Sequence, residues 1–335
     1  MKSIKIRLLI VLFLLIILFF LDLSVGKVFI KPGLILHYLF HPDKSGYSLI
    51  VNHYRLQRAL SALLIGGGLA ISALILQNLF NNPLAGPYIL GISSGAGFGV
   101  ALFLMGSEFF YKQIDTNNFF SMTLFGFLGA VLVIFLLLLV YFKTYNLLTI
   151  LIFGIMLSGI FSSFVSILQF FSQAFVLKRY MVWTMGSLEN VSDYQIYMIA
   201  LVLLFSSFFL WYYRREFDAL YLAELSKTLG VNYRLFSIIL LLIAALITGT
   251  ITSFVGPIAF VGIISPHIGR MLTPSLLGKY LIPISILTGS FIMLFADIIS
   301  HLPFWQGILP INSITSLIGI PIILYVLFSG QKFKF

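Results

Sequence analysis

The sequence predicts an all-α polytopic membrane protein of about ten transmembrane helices. Three observations carry that expectation. Of the 335 residues, 60% are hydrophobic and only 9% are charged, whereas soluble domains carry about a quarter charged residues. Apolar runs such as Leu8–Leu21, Val131–Tyr141 and Leu235–Ile247 recur along the whole chain. That is too often for the core helices of one soluble domain. The length, finally, holds about ten spans of about 20 residues with short connections.

Taken in order, the spans fall at about 8–24, 58–78, 88–105, 119–141, 148–170, 194–213, 235–254, 256–272, 280–299 and 311–329. Lys2, Lys5 and Arg7 before the first run resemble the front of a signal peptide. With so many later spans, an uncleaved first helix is the better reading. The second span follows Arg55 and Arg58 and ends at Asn81-Asn82-Pro83, where proline blocks continuation. The third carries Gly91, Gly95 and Gly99; a spacing of four puts them on one face, where a neighbouring helix can approach closely. The eighth span is broken up by Gly256, Pro257, Gly262 and Pro266. A faint repeat links Tyr54-Arg55-Leu56 and Pro87 to Tyr233-Arg234-Leu235 and Pro266 at one offset, with the opposite starting sides that inverted repeats require.

With the N-terminus inside, 12 of the 20 Lys and Arg residues fall in inner segments and 8 in outer ones. This bias predicts cytoplasmic N- and C-termini. Two connections are long enough to do more than connect. The outer loop 24–57 contains a short apolar stretch, Leu34–Phe40, suited to an interface. The inner segment 214–234 mixes Leu220, Leu222, Ala223 and Leu225 with Asp218, Glu224 and Lys227, and Gly230 is a helix stop. It reads as a short amphipathic helix on the cytoplasmic surface. Its acidic residues Glu216, Asp218 and Glu224 disfavour anionic lipid and favour docking of a soluble partner.

Several chemistries are excluded or poorly supported. The formal charge of +10 is scattered between spans and forms no stripe for nucleic acid. Zero cysteines remove disulfides and thiolate metal sites. No GxxxxGK[ST] loop occurs, and GISSGAGFG has no lysine to reach a phosphate. Histidines 37, 41, 53, 267 and 301 form no HExxH pattern, so neither a metal site nor a catalytic residue is expected. Asp297, near the end of span nine, is a functional candidate because intramembrane carboxylates are costly; His301, one turn on, offers it a local partner. Ser158, Ser162, Ser166 and Gln169 share one face of span five, and Asn312, Ser313, Thr315 and Ser316 open span ten. Both sets fit small-residue packing or a weakly polar solute path.

Longer ordered motifs carry a resemblance. Arg55-Leu56-Gln57-Arg58 is similar to RxPR; Leu76-Gln77, Asn82-Pro83-Leu84-Ala85 and Leu90-Gly91-Ile92-Ser93-Ser94-Gly95-Ala96 look like LQ…NPLA.P.LGISSGA. Leu229-Gly230-Val231, Phe254–Gly262 and Pro266-His267-Ile268-Gly269-Arg270 match LGV…FVGPIAFVGLxxPHxxR, and Ala296-Asp297 and Leu309-Pro310 complete the order. From about Arg55 to Phe328 the chain resembles the FecCD family, permease subunits of ABC importers for iron-siderophores, haem and cobalamin.

The resemblance implies a single permease domain over 1–335 with the type II importer fold and inverted repeats, in a bacterial inner membrane. It implies a second permease copy, identical or a sister subunit, two cytoplasmic ATPase subunits that use the ATP, and an extracytoplasmic binding protein that delivers the chelate. It implies no cofactor bound by this chain itself. By the same resemblance, Arg55 and Arg58 receive carboxylates of the binding protein, and His301 stands where the family has a third outer arginine. Ile308 and Asn312 replace a usual glutamate and glycine nearby. Segment 214–234 matches the coupling segment, with Leu220, Tyr221, Leu222, Ala223, Glu224, Leu225, Lys227, Leu229 and Gly230 in the ATPase cleft. Spans five and ten line the path, through Ser158, Ser162, Ser166, Gln169, Asn312 and Thr315, with an inner gate at Asn146 and Thr149. An ion-coupled secondary carrier with inverted repeats is the alternative, although one buried acid equips it thinly.

Overall fold

A computed structural model of the chain describes residues 2–106, 119–189, 191–220, 232–273, 275 and 277–328. Among the described residues all regular structure is helical. In order the helices are α1 (Lys2–Ser24), α2 (Pro32–Phe40), α3 (Gly46–Leu79), α4 (Ile92–Leu104), α5 (Phe119–Thr144), α6 (Leu147–Phe171) and α7 (Ala174–Thr184). There follow α8 (Asp193–Tyr212), α9 (Arg214–Ala219), α10 (Tyr233–Val255), α11 (Val261–Leu272), α12 (Gly278–Ser300) and α13 (Ile311–Phe328).

Each of the ten expected spans is occupied by a helix, but not every one is a full crossing. Among the described residues seven helices, α1, α3, α5, α6, α8, α10 and α12, are long and apolar enough to cross a membrane. By contrast α4 has 13 residues and α11 has 12, against the roughly 20 a perpendicular crossing needs. In α13 the apolar stretch Ile311–Tyr325 is also short. The breaks are where the backbone chemistry demands them. Asn81 closes α3 at φ +47°, Gly91 opens α4 at φ +77°, and Gly256 ends α10 at φ +81°, conformations that Gly and Asn tolerate best. Phe260 precedes α11 at φ +67°, a position that costs a non-glycine residue about 1–3 kcal/mol.

The chain packs into two compact units. The first comprises Met1–Ile71, Ser187–Asp218 and Ala259–Phe335, and α12 is its centre, packed on α1, α8, α11 and α13. Here α3 and α12 touch backbone to backbone: a Cβ on Gly66 would lie 2.7 Å from the Gly289 carbonyl carbon. Ser290 Oγ reinforces the seam by donating to Leu63 O at 2.7 Å. The second unit comprises Ser72–Gly186 and Ala219–Ile258, and in it α4 is enclosed by α5, α6 and α10. A Cβ on Gly95 would fall 2.6 Å from Gly129 O, so α4 and α5 are in contact only because both residues lack side chains. Ser72 Oγ donates to Ala244 O at 2.9 Å and meets Thr248 Oγ1 at 2.8 Å, satisfying hydroxyls that would be costly alone in an apolar interior.

Candidate functional site

The first unit holds a buried ionic cluster built on the opening turns of α3. Residues Ile50–Arg55 of that helix are π-helical and lead into regular α-helix at Leu56. Arg55 and Arg58, three residues apart, then share one face, turned toward the C-terminal end of α1. Arg55 is 6% exposed. Its guanidinium donates to Leu23 O and Ser24 O, both at 2.8 Å, and to Val28 O. Arg58, 7% exposed, donates to Asp22 O at 3.0 Å. The last carbonyls of a helix lack intrahelical partners and carry its negative dipole end, so two cations here close α1.

Two carboxylates complete the set. Asp22 and Asp297 are both fully buried. Arg58 bridges them, with Nε 2.7 Å from Asp297 Oδ2 and Nη2 3.4 Å from Asp22 Oδ1. On the far side of Asp297, His301 Nδ1 lies 3.4 Å from Oδ1 and 3.0 Å from the Asp297 carbonyl. Its Nε2 reaches Glu189 Oε1 at 3.6 Å. Burial acts to lower the imidazole pKa, but the Asp297 and Glu189 carboxylates, as acceptors facing its N–H groups, and the Asp297 charge outweigh it and hold it up to about 9. Arg58 and a protonated His301 both face Asp297, which offsets part of the cost of burying that carboxylate. Gln57 Nε2 adds a tie to Asp193 Oδ1 at 2.8 Å, at the start of α8.

A second polar contact lies at the opposite end of α12. Asp218, in α9, accepts a hydrogen bond from the Gly278 N–H at 2.6 Å, and its neighbour Phe217 is fully buried. Burial raises the Asp218 carboxyl above its usual range, against the pull of that hydrogen bond and of Arg214 and Lys279.

The sequence matches the FecCD transport family over residues 14–329. The chain belongs to the FecCD transport family. Among relatives of this FecCD protein, the vitamin B12 import system permease protein BtuC of Klebsiella pneumoniae is 32% identical over 84% of the chain and 83% of its own length. The iron(3+)-hydroxamate import system permease protein FhuG of Bacillus subtilis is 29% identical over 95% of both. A solved structure of a metal-chelate type ABC transporter in an inward-facing conformation superposes with a TM-score of 0.83, at 28% identity, covering 96% of the chain and 97% of its own.

Against that family frame, the expected site residues are placed as follows. Within this chain Arg55 and Arg58 are buried, and the α1 carbonyls, Asp22 and Asp297 meet their guanidinium groups. His301 joins the same internal cluster. Asp22 and Glu189 are members that sequence reasoning missed. Gly91, Gly95 and Gly99 do face close neighbours: Gly91 meets Ser158, and Gly99 meets the Phe125 backbone. Ser158 is therefore a packing residue, whereas Ser162 and Ser166 are exposed, Ser166 Oγ donating to Ser162 O at 3.0 Å. Gln169 is half-buried. Thr315 is 1% exposed, its Oγ1 donating to Asn312 O at 3.0 Å. Asn312 Oδ1 accepts from Ala259 N at 3.0 Å, holding the strained turn before α11. Asn146 caps α6, accepting from Leu148 N and Thr149 N at 2.9 and 3.4 Å. Leu220 is buried; Tyr221, Leu222, Ala223, Glu224, Leu225, Lys227, Leu229 and Gly230 lie outside the described residues.

Proposed function

We propose that this chain is the membrane-spanning permease of an ABC importer for a metal chelate, a ferric siderophore or haem before cobalamin. The observation that carries this reading is the near full-length match in fold and sequence to a metal-chelate type transporter. A second permease copy completes the path, two ATPase subunits supply the energy, and a binding protein supplies the chelate. Residues 220–230 engage the ATPase. The exposed face of α6, with Gly159, Ser162, Ser163 and Ser166, lines the path. Small side chains with hydroxyls already bonded to their own helix, Ser163 to Gly159 O and Ser166 to Ser162 O, let a bulky chelate slide past without a binding well.

The buried arginines brace the chain and do not serve as the first contact for the binding protein. The ion-coupled alternative loses support here, since the two buried carboxylates, Asp22 and Asp297, both face Arg58. The deciding test is uptake into liposomes containing this chain, its ATPase and its binding protein, with a ferric hydroxamate, haem and cobalamin as probes. ATP-dependent uptake of one probe is expected. Uptake driven by an ion gradient with no ATPase present would overturn the assignment.

A further inference from the structure

We propose that Asp218 is a positioning residue that fastens the ATPase-facing segment to α12, so that α12 carries movement of that segment to the arginine–carboxylate cluster. The proposal rests on the reading that residues 220–230 meet the ATPase.

Geometry at the near end motivates it. The first N–H groups of a helix have no intrahelical partner, and Leu277, which precedes α12, provides no side-chain cap. The missing acceptor comes from Asp218, sixty positions away, at 2.6 Å from Gly278 N. The contact is close-fitted: a Cβ on Gly278 would meet Asp218 Oδ1 at 3.0 Å and the Phe217 ring at 3.6 Å. Phe217 is fully buried beside it. From Asp218 the chain passes through Ala219 directly into Leu220, so almost no slack separates the anchor from the segment it would restrain.

The far end completes the argument. α12 continues for 23 residues, with Pro283 removing one backbone hydrogen bond in its second turn, and spans about 33 Å at 1.5 Å per residue. Along the way it is gripped by neighbours: Thr288 Oγ1 donates to Ser265 O at 2.9 Å, and Ser290 Oγ to Leu63 O at 2.7 Å. One turn from its end, Asp297 holds Arg58 at 2.7 Å. A displacement of α9 therefore has a continuous helical route to α3 and α1, and the Asp218–Gly278 bond is the joint where it enters.

The test uses the complete importer in liposomes, with the probe that the unsubstituted protein takes up, and reads molecules imported per ATP hydrolysed. Asp218→Ala removes the acceptor and is expected to lower this ratio about fivefold, the factor a lost helix cap corresponds to. Asp218→Asn keeps an acceptor oxygen and is expected to restore it, because Asn caps as well as Asp. Gly278→Pro removes the donor from the other side; proline suits a first helical position, and Leu277 at φ −66°, ψ 133° already has the backbone that precedes proline. It is expected to fall with the alanine variant. An unchanged ratio in Asp218→Ala or Gly278→Pro, or no recovery in Asp218→Asn, overturns the proposal while leaving the importer assignment intact. Absence of any ATP-driven uptake by the unsubstituted protein overturns both.

Discussion

Replacing Arg58 by methionine separates a brace from a dock. The substitution keeps an unbranched apolar side chain and removes the cation that Asp22 and Asp297 share. Asp297 retains His301, but Asp22 is left fully buried with no facing charge at ion-pair distance. Breaking a buried pair by deleting one partner costs about 3–5 kcal/mol, and the two carboxylates place this case toward the upper end. At about 2–4 °C per kcal/mol for a chain of a few hundred residues, Arg58→Met should lower the unfolding temperature in detergent by about 10–15 °C. The three tryptophans give a fluorescence readout. Adding Asp22→Asn and Asp297→Asn should recover most of that loss, because a buried ionic set replaced as a whole is often neutral. If Arg58→Met unfolds within a degree of its parent, or the triple variant is no better than the single one, the bracing argument fails. A residue that served only the binding protein would leave the melting temperature alone and lose stimulated ATP hydrolysis.

Other outcomes follow from the same contacts. His301 has a folded-state pKa raised from 6.5 to about 9, so its charge contributes about 3 kcal/mol below pH 6.5 at 1.36 kcal/mol per pH unit. That contribution is lost as pH rises through 9. The melting temperatures of the parent and His301→Gln should differ at pH 6 and converge above pH 10; a constant gap contradicts the assignment. Gly289→Leu must push α12 off α3, since even a Cβ there meets Ala70 Cβ at 2.6 Å, and overpacking of this kind costs at least 1–3 kcal/mol; unchanged melting would show that the seam yields. Replacing 220–230 with a Gly/Ser linker should abolish ATP-driven uptake while the chain still inserts and folds.

Helix positions were legible because apolar runs and their punctuation are local signals: Asn81-Asn82-Pro83 and Gly256-Pro257 stop helices wherever the rest of the chain lies. The Gly91/Gly95/Gly99 face was visible from its spacing of four. The pairing of Gly66 with Gly289 was not, because the two lie more than 200 positions apart. Of the short helices, α2 coincides with the apolar stretch Leu34–Phe40 and α9 opens the segment read as amphipathic, whereas α7 falls on no expected element. The internal contacts of Arg55 and Arg58 were hidden for a physical reason. Charges at the head of an apolar helix normally read as interfacial, and nothing near them in sequence announces that the end of α1 returns with a carboxylate. Asp22 itself sits one residue beyond the apolar run Leu8–Leu21, with no cue in the sequence that it meets Arg58. The Asp297–His301 contact was foreseeable at one helical turn; the Asp218–Gly278 bond had no such cue.

The π-helical stretch at the head of α3 has a consequence for how this chain can vary. A π segment holds one residue more than an α-helix closing the same turn, so deleting a single residue within 50–54 would regularise the helix while rotating everything before it by about 100°. Asn52, whose amide donates to Tyr38 O at 3.1 Å, would lose its grip on α2, and the loop closing round Arg55 would unwrap. Insertions and deletions there should be tolerated only in pairs that restore the register. Six residues thus act as the indexing pin of the whole N-terminal arm.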